Sequence, residues 1–151
     1  MLRRTPCVGI CSTTYGDLVC RGCKRFAHEI VQWNGFDGEQ RDAVWQRLLA
    51  LRGGAVQTML HVHDEARLRA RARQLDVGGA DELDAWNLAY EVLQRLQWRG
   101  PVCALEQLGM APVGRDADTE PEPAALIIAI DREFYQRSLA QYERNYRIPP
   151  E

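Results

Sequence analysis

Pro6-Cys7-Val8-Gly9-Ile10-Cys11 and, eight residues later, Cys20-Arg21-Gly22-Cys23-Lys24-Arg25 put four cysteines in one 17-residue window, with spacings x3, x8 and x2. Gly9, Gly16 and Gly22, with polar residues between them, leave this stretch without a sustained helical or strand period. It reads as loop and turn held by something other than an apolar core. Such a loop offers no interior in which four ordinary cysteines could be buried. Two pairs of thiolates brought to one point by a returning chain are what a metal centre needs. Cys20-x-x-Cys23 is the sharper half, because Gly22 permits a tight turn and the pair runs into a helix expected from Lys24, whose first N–H groups favour thiolates.

Outward from the cysteines, Phe26, Ile30 and Trp33 recur at i, i+4 and i+7 with Ala27 and Val31 beside them, which predicts a helix ending near Asn34-Gly35. Asp37 with Gln40 three residues on is a capping-box pattern. The helix it opens carries Val44, Leu48 and Leu51 on one stripe, with Trp45 and Leu49 adjacent, and is expected to stop at Gly53-Gly54. Residues 1–52 thus read as a four-cysteine metal-binding module, a loop covered by two short helices.

Residues 55–108 read as a mostly helical region. Val56, Thr58, Leu60 and Val62 alternate with Gln57, Met59 and His61, which suggests a short strand. A helix follows over Asp64–Leu75, and a stronger one over Glu82–Trp98 turns Trp86, Ala89, Tyr90, Leu93 and Leu96 inward before Gly100-Pro101 breaks it. A brief helical turn spans Cys103–Leu108. Residues 109–123, rich in proline and acidic residues, read as a flexible linker without fixed structure. Residues 124–151 hold a C-terminal helix packing on the body, with Tyr135, Leu139, Tyr142 and Tyr146 at i, i+4, i+7 and i+11; Ala124–Ile130 reads equally as a strand pairing with Val56–Val62. The fold class is mainly α, with at most a two-stranded β element.

With 46% hydrophobic and 26% charged residues, the chain is not disordered throughout. Its longest apolar run, Ala124–Ile130, is far short of the roughly 18 residues that span a bilayer. Met1-Leu2-Arg3-Arg4-Thr5-Pro6 is basic and leads into the cysteines with no apolar segment of the kind a secretory signal carries, so a cytoplasmic location is expected. Thiols stay reduced there, which points to metal or redox chemistry more than to disulfides. Through Arg52 there are eight Lys/Arg against five Asp/Glu, and in the remainder 11 against 16. That surplus suits a weakly basic contact surface and is far below the bias of a dedicated nucleic-acid domain.

The x3 and x2 spacings fit the pairs that ligate zinc, and a pair opening a helix suggests a treble-clef-like finger. The same four thiolates could hold an iron-sulfur cluster, and both metals stay open. A tetrathiolate around a divalent ion carries a formal charge of about −2, which Arg21, Lys24 and Arg25 are placed to offset; His28 is either a spare donor or an ordinary surface histidine. In a module this small the metal would be a main stabiliser, since structural zinc contributes roughly 10 to 16 kcal/mol in finger peptides. Disulfide exchange at Cys20 and Cys23 is the competing chemistry; no βαβ pattern surrounds them, and it leaves Cys7 and Cys11 unexplained.

In ordered sequence Pro6–Cys11, Cys20–Arg25, Glu29-Ile30, Trp33 and the Arg41–Leu48 helix, the segment resembles a bacterial family known as domain of unknown function 1289, small proteins labelled as predicted iron-sulfur proteins. The resemblance covers Pro6–Leu49, a third of the chain. It implies a cysteine-ligated iron-sulfur centre and carries no established activity. One departure is Phe26-Ala27, where the family pattern leads one to expect a threonine after the basic pair.

Other candidates are weaker. His61 and His63 would share one face of a strand beside Asp64 and Glu65; a solvated strand end accounts for them as well. Cys103 reads as a small buried hydrophobe. Tyr135, Tyr142 and Tyr146 with Arg137, Arg144 and Arg147 could stack on single-stranded nucleic acid, but helical spacing favours tyrosines on the body and arginines in solvent. Arg67, Arg69, Arg71 and Arg73 cover several faces of a helix and read as solvated. No Gly-rich phosphate loop, serine elbow or convergent acid pair appears, so no catalytic machinery is evident. The expected function is a cytoplasmic zinc or iron-sulfur protein whose module is a structural or interaction element, the helical C-terminal part supplying a surface for a protein partner. The alternatives are a small iron-sulfur redox or electron-transfer accessory protein, and a finger contacting nucleic acid through Arg3, Arg4, Arg21, Lys24 and Arg25.

Overall fold

Helices α1 (Ala27–Gln32), α2 (Gly38–Met59), α3 (Glu65–Gln74), α4 (Ala85–Arg99) and α5 (Pro123–Tyr146), with strands β1 (Leu60–Val62) and β2 (Met110–Pro112), make up the computed structural model, which describes residues 5–99, 104–114 and 122–146. Arg3, Arg4, Gly100-Pro101, Cys103, Arg147 and residues 115–121 lie outside the described residues. The mainly α class expected from the sequence is what the chain adopts, with one two-stranded antiparallel sheet. The chain divides into two compact units, one within Arg52–Arg132 and one joining Arg4–Leu51 to Glu133–Glu151. The divisions fall inside α2 and α5.

In the cysteine-bearing unit, α1 starts at Ala27 and not at Lys24. Lys24 has φ +65°, a left-handed conformation that no helix residue can take. The Glu29 carboxylate accepts the Phe26 N–H at 2.8 Å, half of a capping box. The other half is missing because a phenylalanine at the N-cap has no oxygen to offer, so the departure from threonine noted above forfeits a cap. In exchange the Phe26 ring, 1% exposed, packs edge-on against Tyr142 at 5.2 Å and Tyr146 at 5.5 Å and lies under the Arg47 guanidinium at 4.0 Å. Arg47 also grips both oxygens of the buried Glu29, at 2.5 and 2.6 Å, which cross-links α1 to α2. At the start of α2 the capping box read from the sequence is complete: Asp37 N–H donates to Gln40 Oε1 at 2.9 Å and Gln40 N–H to Asp37 Oδ1 at 2.8 Å.

The other unit departs from expectation in three places. α2 continues through Gly53-Gly54 to Met59, so the strand expected over Val56–Val62 is reduced to Leu60–Val62. A Cβ at Gly53 would sit 3.3 Å from Asn87 Nδ2, so this glycine serves a close approach of α2 to α4 rather than a helix end. The partner of β1 is Met110–Pro112, paired Leu60 with Pro112, His61 with Ala111 and Val62 with Met110; the start of the supposed linker is therefore structured, and Ala124–Ile130 is helix. Gly109 has φ +79°, and a side chain on it would meet the Asp64 carbonyl, which locks the turn that brings β2 back to β1. α3, capped by Asp64 through Arg67 N–H at 3.1 Å, packs on α4, whose Leu88, Ala89, Val92 and Leu93 are fully buried. Between α2 and α4, Arg52 bonds Asn87 at 2.6 Å and Glu91 at 2.9 Å beneath the Tyr90 ring, and the Tyr90 hydroxyl donates to Asp131 at 2.8 Å. Burial pushes the Tyr90 phenol far above its ordinary range, aided by Asp131. No helix among the described residues is long and apolar enough to cross a membrane.

Phe26→Thr tests the exchange of cap for aromatic packing. Restoring the cap returns about 1 kcal/mol, whereas removing a buried phenyl ring costs about 3–5 kcal/mol. Chemical denaturation of the full chain should therefore show a net loss of about 2–4 kcal/mol; an unchanged midpoint would mean that the ring contacts contribute little.

Candidate metal centre

The turn that carries Cys20 and Cys23 is a short hairpin. Val19 and Phe26 form an antiparallel bridge, Cys20 N–H donates to the Arg25 carbonyl and Lys24 N–H to the Cys20 carbonyl, both at 2.9 Å, and Ala27 N–H reaches Leu18 at 2.8 Å. The left-handed Lys24 closes the turn, and both cysteines end up buried, at 1% and 6% exposure. The segment carrying Cys7 and Cys11 lies against this turn. Gly22 is where they touch: a Cβ there would come within 2.6 Å of the Ile10 carbonyl and 2.9 Å of a Val8 methyl. Arg21 N–H donates to Ser12 Oγ at 2.8 Å, and the Cys20 thiol points at the Ile10 carbonyl at 3.4 Å. Between Thr5 and Leu18 only Pro6 is buried, so this half of the loop has almost no core of its own.

Electrostatics separate the four sulfurs. Burial pushes the Cys20 thiol up, but N–H groups of Cys23, Ser12 and Gly22 turned toward it, together with the Cys23 side chain, outweigh that and leave it below the ordinary thiol value. Cys11 shares a hydrogen bond with the Thr13 hydroxyl at 3.0 Å, which lowers it, and Thr14 adds to the effect. Cys23 is raised by burial, against the pull of Arg25, whose Nε–H donates to its sulfur at 3.3 Å. The sulfur of exposed Cys7 accepts the Gly9 N–H at 3.4 Å.

Cys20 and Cys23 are thus held together as a pair and Cys11 is near enough to Cys20 for their charges to interact. Among the described residues no three cysteine, histidine, aspartate or glutamate side chains converge as a metal-ligand set. The donor chemistry nonetheless suits thiolate ligands, since backbone N–H groups aim at one buried sulfur and a guanidinium at the other. The residues proposed to offset charge divide in position. Arg25 touches Cys23; Lys24 Nζ donates to the Gly22 carbonyl at 3.0 Å and faces the Phe134 ring at 5.2 Å; Arg21 points outward to Asp17 at 3.2 Å and over Tyr135 at 5.0 Å. With Lys24 and Arg25 buried, Arg21 is the only exposed one of the described basic residues offered to nucleic acid. His28 is exposed and its ring neighbours are Phe26 at 5.9 Å and Tyr146 at 5.0 Å. His61 and His63 are exposed at the end of β1. Ser12, Thr13 and Thr14 were not singled out from the sequence, although three hydroxyl residues directly after Cys11 are the signal that could have drawn attention to them.

A mainly α chain with a cysteine-bearing N-terminal module is the class that fold and site define. Residues 5–52 match the model of a family described as Protein of unknown function (DUF1289), which bears out the resemblance over that segment and attaches no activity to it. Comparison of the chain with curated proteins and with solved structures gives no match.

Gly22→Ala should force the Cys7–Cys11 segment off the turn, since the added methyl meets backbone on one side. The expected loss is about 1–3 kcal/mol by denaturation, with faster proteolysis between residues 5 and 18, whereas Gly38→Ala, which meets nothing within 4 Å, should be neutral or slightly stabilising. Equal behaviour of the two variants would refute the close approach.

Proposed function

We infer that Cys7, Cys11, Cys20 and Cys23 jointly hold one metal centre, zinc or an iron-sulfur cluster, and that the module acts in the cytoplasm as a structural and interaction element rather than an enzyme. The observation that carries this reading is the hydrogen-bonded Cys20–Cys23 turn, which buries both sulfurs and sets the Arg25 Nε–H 3.3 Å from that of Cys23. A loop with so few buried side chains gains its order from ligation more readily than from packing. When bound, a zinc ion would supply a fixed cross-link, and a cluster would add one-electron redox chemistry. Cys20 and Cys23 would form the anchored pair, and Cys7 and Cys11, on the segment tied down at Gly22 and Ser12, would close the set by a modest rearrangement of an exposed loop. An interaction role is favoured by Val8, Ile10, Tyr15 and Leu18, which all remain exposed on the cysteine loop and add to the helical C-terminal part as a surface for a protein partner.

A redox accessory role is the second reading. It draws on the same N–H and guanidinium contacts to sulfur, which are among the features that tune cluster potentials.

Metal analysis and a visible spectrum of the full chain, purified anaerobically from cells supplied with iron and zinc, decide between them. One colourless zinc per chain supports the structural module, and a brown, sulfide-containing protein that bleaches on reduction supports the redox role. Cys20→Ser or Cys23→Ser should lose the metal, while Cys103→Ser should keep it; full stoichiometry in both Cys20→Ser and Cys23→Ser would rule out the shared site.

A further inference from the structure

Arg25 is 4% exposed, and its side chain is a planar, delocalised cation. Burying such a charge is costly unless an anion or a set of strong acceptors meets it. Among the described residues no carboxylate pairs with it. Its Nε–H donates to Cys23 Sγ at 3.3 Å, and its guanidinium lies over the Trp33 indole, 4.8 Å from the ring centroid. Trp33 is held in turn by Arg41, whose Nε–H bonds the Trp33 carbonyl at 3.1 Å. The adjacent cations do other things: Lys24 caps the Gly22 carbonyl, and Arg21 pairs with Asp17 in solvent. A buried fixed cation with a sulfur as its polar partner belongs in a place where that sulfur is negative, and ligation by a metal makes it so.

We propose that Arg25 is the positioning residue of the four-cysteine centre: braced by the Trp33 ring, it donates to the Cys23 sulfur and retains the metal by compensating the charge of the thiolate set. The proposal rests on the reading of Cys7, Cys11, Cys20 and Cys23 as one ligand set. It separates Arg25 from Arg21 and Lys24, which the sequence treats alike, and it makes the turn end of the loop the tighter half of the centre. Exposed Cys7, whose sulfur accepts only the local Gly9 N–H among the described residues, has no comparable brace.

Cobalt(II), loaded in place of the native metal on the full chain, gives the test, because its sulfur-to-metal charge-transfer band reports on hydrogen bonds to the ligating sulfurs. Arg25→Gln should still bind one cobalt, with the band displaced, and should lose it to a competing chelator at least about ten-fold faster, the scale of one charge-assisted hydrogen bond. Arg21→Gln should match the unaltered chain in both readouts. An unmoved band and an unchanged release rate in Arg25→Gln would overturn the proposal while leaving the ligand set intact. Failure of the unaltered chain to bind cobalt through its cysteines would instead overturn the ligand set and this proposal with it. If Arg25→Gln does not fold, Arg25→Lys decides: it keeps the charge but has no Nε–H to place on Cys23, so its band should move, and a band at the original position counts against the proposal.

Discussion

Two hydrogen bonds, Cys20 N–H to the Arg25 carbonyl and Lys24 N–H to the Cys20 carbonyl, close the turn against which the cysteine-bearing unit is assembled. Because they fix Lys24 in the left-handed region, the chain reverses within four residues and delivers Phe26 as the N-cap of α1. Both cysteines of the turn are thereby buried, and Gly22 presents a bare backbone on which the Cys7–Cys11 segment can rest. A larger residue at position 22 would separate the two halves of the loop, and a break at Lys24 would displace both Cys23 and the start of α1. The position of the sulfurs is therefore a backbone property first and a packing property second.

The packing around that turn is unusual in its composition. Positive groups are set against aromatic faces: Arg25 on Trp33, Arg47 on Phe26, Lys24 toward Phe134 and Arg21 on Tyr135. Each such contact contributes on the order of 0.5–2 kcal/mol depending on desolvation, less than a well-packed aliphatic core would supply. What they add is placement of charge. Glu29 neutralises Arg47 through two bonds, which leaves Arg25 as the cation that meets a cysteine sulfur.

Much of this was legible in the sequence wherever a local rule had no competitor. The Asp37/Gln40 capping box, the α4 stripe and the cysteine spacing each follow from side-chain chemistry within a few residues. The misplaced elements are those where a local signal served a long-range purpose. Gly53-Gly54 has the form of a helix stop, but Gly53 is a packing residue against Asn87, so α2 runs on and takes most of the expected strand with it. Val56 and Ala55 are both fully buried, which fits a helix enclosed on more than one side and not an alternating strand. Met110 follows a glycine and stands two residues before a proline, yet it is 1% exposed, because Gly109 turns the chain back to Val62. Ala124–Ile130 could not be assigned from its apolar run alone; burial of Leu126, Ile127, Ile130 and Phe134 is the helical spacing that settles it.

At the site, the sequence identified the sulfurs and the cations but could not rank them, since rank depends on which side of the turn each side chain leaves. Arg21, Lys24 and Arg25 are nearly contiguous, and a helix beginning at Lys24 would have spread them over one surface. The left-handed residue changes that arrangement: it sends Lys24 under the turn toward Gly22, turns Arg25 inward to Cys23 and leaves Arg21 in solvent. One backbone dihedral thus breaks up a basic run that reads as a contact surface for nucleic acid and turns two of its three cations inward. The same geometry leaves the exposed surface of the loop mixed: with two cations turned inward, Arg21 remains outside together with Val8, Ile10, Tyr15 and Leu18.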